Sequence, residues 1–170
     1  QAISVLNQST VTVDGLVKVV KNSTSKSDVV GISSGGSITA GSFDIVVNDA
    51  LTNETALRAF GDDSTINCLG TAKIVINKNA GDTGSYVSAV LAGARGEITL
   101  GSLDAELDTK YSRGISVLSN NTDSKETLVT VNGAAKIMMK GERSYGIIAQ
   151  SGKSKIMLQD VQVTTTGNYS

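Results

Sequence analysis

Two stretches of the chain read almost alike: Ala2 to Lys18 (AISVLNQSTVTVDGLVK) and Gly114 to Lys136 (GISVLSNNTDSKETLVTVNGAAK). The segments that follow them match as well, because Val29 to Val47 (VVGISSGGSITAGSFDIVV) aligns with Ser144 to Val163 (SYGIIAQSGKSKIMLQDVQV). A more diverged copy lies between, in Ala56 to Lys78 and Ser85 to Leu107. Three long units therefore tile the chain, marked by Gly15, Gly70 and Gly133 and by Ile38, Ile98 and Ile156, each unit about 60 residues long. Each unit divides again at a short strand of the type S-x-G-I: Ala2-Ile3, Gly31-Ile32, Ala56-Leu57, Tyr86-Val87, Gly114-Ile115 and Gly146-Ile147. The elementary period is thus about 25–32 residues, within the range of solenoid repeats. A recurring period of this size means stacked units, none of which can bury its apolar face alone.

Within a period the side chains alternate. Val11, Val13, Val17 and Val19 share one parity, and Thr10, Thr12 and Lys18 take the other, which predicts strands with one buried face. The breaks fall at Asp14-Gly15, Gly35-Gly36, Asn132-Gly133 and Gly152, residues suited to bends that need positive φ. No segment carries a capped 3.6-residue periodicity. The fold class expected is all-β: a right-handed parallel β-helix, or solenoid, of about six coils of about 25–32 residues, one segment over residues 1–170. With strands about 4.8 Å apart, six coils make a rod roughly 29 Å long.

Stacking predicts inward columns: Val13, Cys68 and Val131 at one level, and Val19, Ile74 and Ile137 at another. A narrow lumen filled by β-branched and small side chains accounts for the aromatic content of 4% and the absence of Trp. The absence of Pro suits central strands that need every N–H. Cys68 is alone, so no intrachain disulfide forms, and its inward slot makes it a small buried hydrophobe. On the outside, Lys18, Lys73 and Lys136 take equivalent positions in the three units and are expected to form a basic ladder, about 10 Å between neighbours, that serves solubility or engages sulfated glycans or acidic surfaces. The largest departure from the repeat is the insertion Ser119, Asn120, Asn121, Thr122, Asp123, Ser124, Lys125 and Glu126, absent from the matching first unit. Insertions in solenoids emerge as loops, which makes this the candidate contact loop.

The words SYGI...SG...I.L..V.VTTTGNYS at Ser144 to Ser170, echoed by SYVSAVLAG...ITLGSL from Ser85, resemble the passenger domains of Gram-negative autotransporters, the pertactin and AIDA-like group. The resemblance covers all six coils and lies in the repeat grammar. It implies a right-handed β-helix, displayed or released after export across the outer membrane, and the chain is expected to be a fragment of a longer passenger. It also implies a non-enzymatic adhesin or virulence factor that contacts host cells, matrix or other bacteria. A released passenger acting as a ligand of a host cell-surface receptor, and a carbohydrate-active lyase or glycosidase on a β-helix, are the alternatives.

Chemistry in the sequence narrows these. There is no His in 170 residues, which removes Ser-His-Asp and Cys-His hydrolases from this stretch. Gly81-Asp82-Thr83-Gly84-Ser85 looks like a protease nucleophile motif but has Thr83 at the nucleophile position, so it reads as a turn. The carboxylates that a glycosidase or lyase would need are Asp62 and Asp63, or Asp104, Glu106 and Asp108, which share one parity and read as the wet face of a strand. No catalytic, cofactor-binding or metal-binding residues are assigned. A net charge of −1, with both signs spread along the chain, gives no reason to expect nucleic acid as a partner. Apolar runs fall well short of the roughly 20 residues of a membrane span, so no membrane insertion of this segment is expected. The partners expected are a host receptor, matrix or glycan, or a second passenger on another bacterium.

Overall fold

The computed structural model describes residues 1–22, 27–50, 53–77, 86–120, 122 and 124–167. Short strands alternate with long ones: β1 (Ile3–Val5), β2 (Thr10–Lys21), β3 (Val30–Ser33), β4 (Ser37–Val47), β5 (Thr55–Phe60), β6 (Thr65–Ile76), β7 (Val87–Gly93), β8 (Glu97–Leu107), β9 (Ser112–Leu118), β10 (Thr127–Met139), β11 (Tyr145–Gln150) and β12 (Ser154–Thr165). The short strands form one six-stranded sheet in the order β1-β3-β5-β7-β9-β11, and the long strands form another in the order β2-β4-β6-β8-β10-β12. Every pairing is parallel. One short and one long strand make a rung, six rungs make a right-handed parallel β-helix, and no helix occurs among the described residues.

The expected inward columns are present in full. Val13, Ala40, Cys68, Leu100, Val131 and Leu158 are successive partners, as are Val19, Ile45, Ile74, Ala105, Ile137 and Val163. Large and small residues alternate in a third column, Val17, Phe43, Ala72, Leu103, Ala135 and Val161, so the fully buried Phe43 sits between smaller neighbours. That alternation lets a narrow lumen approach close packing. The two outermost rungs bury less: Val11, Val13 and Val19 at one end and Ile147, Ile156 and Leu158 at the other pack against the core but are only partly buried, and Val161 and Val163 on the last rung are exposed.

In the short-strand sheet the register differs from the repeat alignment at two rungs. Ile3 pairs with Val30 rather than Ile32, and Leu57 pairs with Val90 rather than Val87. Rungs therefore recur at uneven intervals, longest from Leu57 to Val90 and shortest from Val90 to Ile115. In β3 the slip preserves parity, so both Val30 and Ile32 stay inside. In β7 the run Val87 to Val90 is buried throughout, so alternation gives no register there and the neighbouring turns decide it.

Each long strand from β2 to β10 bends midway at a register shift, and glycines stand at the bend: Gly15, Gly41, Gly70, Gly101 and Gly133. At Gly101 a Cβ would crowd the Leu69 carbonyl oxygen and lie 2.6 Å from that of Gly70. The bend therefore stacks backbone on backbone, a close approach that glycine permits. Tight turns join short to long strands in several rungs, with Ser9 N–H donating to Leu6 C=O, Gly36 N–H to Ser33 C=O and Gly96 N–H to Gly93 C=O. Their central residues have positive φ (Asn7 54° and Gln8 62°; Ser34 54° and Gly35 77°; Ala94 47° and Arg95 74°), the pattern of primed β-turns.

The bend supplies a paired test. Gly101→Ala should cost about 1–3 kcal/mol in urea unfolding, since the backbone on the rung below cannot give way. Gly15→Ala, where a Cβ meets nothing within 4 Å, should stay within about 0.5 kcal/mol of the parent. Equal losses at the two positions would contradict the stacking account.

Candidate functional site

The outer face of the long-strand sheet carries the expected lysines. Lys18, Lys73 and Lys136 do share one column, but its full order is Lys18, Asp44, Lys73, Asp104, Lys136, Gln162. The feature is a charge-alternating ladder rather than a basic one, with Lys18 Nζ 3.7 Å from Asp44 Oδ2. A repeat unit of two coils compares only every second rung, so the aspartates between the lysines stay out of sight. Opposite charges at directly neighbouring positions are the favourable arrangement in a sheet.

The insertion between β9 and β10 is fastened to the turns on either side of it. Asn121 and Asp123 lie outside the described residues. Ser119 is buried; its N–H donates to Ser154 Oγ at 3.1 Å, and its Oγ accepts from Lys153 N–H at 3.2 Å. Asn120, Thr122, Ser124, Lys125 and Glu126 are exposed. Lys153 Nζ reaches Ser124 C=O at 3.5 Å, Lys155 pairs with Glu126 at 3.3 Å, and Lys125 crosses to Asp63 at 2.7 Å. Ser119, Ser124, Lys125 and Glu126 thus each reach a residue of another rung.

The carboxylates singled out for hydrolytic chemistry mostly have a basic neighbour. Asp62 pairs with Arg95, Asp63 with Lys125 and Glu106 with Lys140, while Asp104 sits between Lys73 and Lys136. The hydrogen bond from Lys125 and its charge hold the Asp63 carboxyl below its ordinary value, and Asp63 raises the Lys125 ammonium in return. The hydrogen bond to Glu106 likewise raises Lys140. Among the described residues no group of three potential ligands could hold a metal ion. Residues 81–85, the nucleophile-like motif, lie outside the described residues.

The outer face of the short-strand sheet holds the features that periodicity does not announce. A tyrosine recurs at the start of three successive rungs. Tyr86 packs edge-on against Tyr111, ring centroids 6.2 Å apart, and lies 6.0 Å from Tyr145. The Arg113 guanidinium sits over Tyr86 with its carbon 3.7 Å from the ring centroid, and Arg58 sits over Phe60 at 4.6 Å. Asp28 pairs with Arg58 at 2.9 Å. Between the two arginines runs a groove of about 330 Å³, lined by Asp28, Thr55, Arg58, Tyr86, Ser88, Arg113 and others. The signal that could have found it is the tyrosine before or at the start of β7, β9 and β11, read together with Arg113.

Two further groups stand in inward columns, the half-buried Lys21 and the buried Cys68. Lys21 continues the inward column of Val47, Ile76, Leu107 and Met139, where its Nζ meets Glu54 and donates to Ser27 C=O at 2.8 Å. Burial pushes the Lys21 ammonium below its ordinary value, and Asp28 partly offsets this. Cys68 is buried between Ala40 and Leu100, and burial raises its thiol above the usual range.

Together these features define a parallel β-solenoid with repetitive outer columns and a groove on its short-strand face. Comparison with protein-family models, characterised proteins and solved structures yields no match.

Three outcomes are expected. Lys21→Met should destabilise the fold by about 3–5 kcal/mol because it takes the ammonium away from the Glu54 carboxylate, whose side chain is 1% exposed. The double variant Lys21→Met/Glu54→Leu should recover most of that loss in the same denaturant titration. Asp63 has a depressed pKa, so its contribution is present above the ordinary carboxylate range and lost as pH falls through its folded value. Lys125 has a raised pKa, so its share is lost as pH rises through its own folded value. In Lys125→Gln, carboxyl NMR should show Asp63 titrating higher, with little change in stability for so exposed a pair. Cys68 should resist a thiol reagent in the native state and react fully on unfolding. Fast native labelling would contradict its inward placement.

Proposed function

We infer that the chain is a segment of an exported bacterial passenger of the autotransporter type, and that it works as a non-enzymatic binding rod at the cell surface. The observation that carries this reading is the six-rung stack, which presents the same outer positions at every rung. Regular spacing along a stiff support turns weak contacts into avid ones, because each contact made holds the next at high effective concentration. Two further features favour it. The repeat grammar of Ser144 to Ser170 resembles that of pertactin and AIDA-like passengers. The carboxylates an enzyme of this architecture would use are neighboured by Arg95, Lys125, Lys140, Lys73 and Lys136, and the groove of about 140 Å³ that Asp104 and Glu106 line is shared with Lys136.

Beads carrying the purified chain at graded density test the reading, offered to host cells, extracellular matrix and beads coated with the same chain. Adhesion rising more steeply than linearly with density is the expected result. Signalling by soluble chain without adhesion would favour the receptor-ligand alternative. Turnover of a polysaccharide, abolished by Asp104→Asn or Asp62→Asn, would overturn the non-enzymatic reading in favour of a lyase or glycosidase.

A further inference from the structure

The groove on the short-strand sheet is built around a guanidinium that has no polar partner among the described residues. The chain has four arginines; Arg58 meets Asp28, Arg95 meets Asp62, and Arg143 donates to the Tyr111 hydroxyl at 2.7 Å. Arg113 alone has no hydrogen-bond or ionic partner among the described residues, and its Nε is buried. A desolvated donor left unpaired is costly. Tyr86 nevertheless holds the guanidinium over its ring, a contact that takes up none of its N–H groups and leaves the fork available to a ligand.

The surroundings narrow the ligand class. Thr55 and Ser88 precede Arg113 in the same column, two rungs and one rung away, and line the bottom of the groove, where they are 3% and 4% exposed. Their hydroxyls make no hydrogen bond among the described residues. Leu91 and Leu118 supply apolar surface beside them. Arg58 is already neutralised by Asp28, so the uncompensated charge of the lining is the single positive one on Arg113. The volume of about 330 Å³ lies at the lower end of small-molecule sites, which run from roughly 300 to 1,000 Å³. The floor is made of β5, β7 and β9, inner strands paired on both sides, so an extended peptide could not add to the sheet here and only side chains are on offer.

We propose that this groove binds a carboxylated sugar residue, its carboxylate taken by the Arg113 fork, its hydroxyls by Ser88 and Thr55, and its ring face by Leu91. A bidentate guanidinium–carboxylate pair supplies both charge and orientation, and short hydroxyl side chains beside an apolar patch suit a polyhydroxylated ring. The assignment gives the binding rod a ligand class and rests on that reading for its biological setting.

Titration calorimetry of the purified chain with a galacturonic acid trisaccharide, against the neutral galactose trisaccharide, is the first arm. Binding of the acidic sugar that weakens with salt, and at least tenfold weaker binding of the neutral one, is expected. Arg113→Gln should lose at least tenfold and Arg113→Lys should fall between, while Lys18→Gln on the other sheet should change affinity less than twofold. The second arm needs no variant: the acidic trisaccharide should protect Arg113, followed by mass spectrometry, from an arginine-specific dicarbonyl. Equal binding of both sugars, unchanged affinity in Arg113→Gln, or Arg113 labelled at the same rate with and without sugar would overturn the site. So would an aspartate-rich peptide that binds more tightly than the sugar with the same dependence on Arg113. Bead adhesion that survives Arg113→Gln together with absent sugar binding would sink this site alone. Sugar binding without any adhesion would sink the rod reading instead.

Discussion

Every rung of this molecule is completed by its neighbours through the parallel hydrogen-bond ladder. A single rung has no core of its own; its inward Val, Ile or Leu is covered only because equivalent residues stand about 4.8 Å above and below. That requirement propagates outward. Inward positions must be apolar and must share volume down each column, as Phe43 does with Ala72 and Leu103 with Ala135. Corners must let backbone approach backbone, which fixes glycine at Gly41 and Gly101. Polar residues at corners stack too: Asn77 donates to Asn48 at 2.7 Å, and Ser112 Oγ to Ser144 Oγ at 2.9 Å. These ladders satisfy side-chain polar groups at the same spacing at which the backbone satisfies its own.

The same constraint governs what the surface can do. Outward positions are released from packing, yet stacking still places them in columns, so each outer choice is felt by the rungs beside it. Alternating Lys and Asp along one column is a stable answer, because like charges so close together would repel. The column two positions along is apolar at Val20, Val46, Val75 and Met138, with Val20 51% and Met138 39% exposed, and is interrupted by Glu106. The regularity lapses in two places. One lapse is the insertion that Ser119, Lys125 and Glu126 fasten across neighbouring turns. The other is the short-strand face, where Arg58 and Leu91 continue the column that Ser4 and Gly31 begin with small side chains, and Arg113 follows Thr55 and Ser88 in another.

Legibility in the sequence follows the same division. The inward columns of Val13, Cys68 and Val131 and of Val19, Ile74 and Ile137 were readable because the lumen imposes one parity on every long strand. The register of β7 was not, since Val87 to Val90 are buried throughout and carry no alternation. The lysine column was half readable: the internal duplication pointed to Lys18, Lys73 and Lys136 and passed over Asp44 and Asp104, which sit on the rungs it skips. The groove left almost no trace, because Thr55, Ser88 and Arg113 belong to three different rungs and meet only once the register of the short strands is set.

By itself, then, the sequence determined the architecture: period, strand parity, bend glycines and the absence of large core wedges admit little besides a stacked parallel coil. Tertiary structure alone decided which charges face each other and which arginine has no polar partner among the described residues. The physical reason is one of range. Burial against a repeated lumen is imprinted locally in every period, whereas an ion pair or a groove depends on the alignment of rungs far apart in the chain, and a slip of a single position would rearrange every such contact.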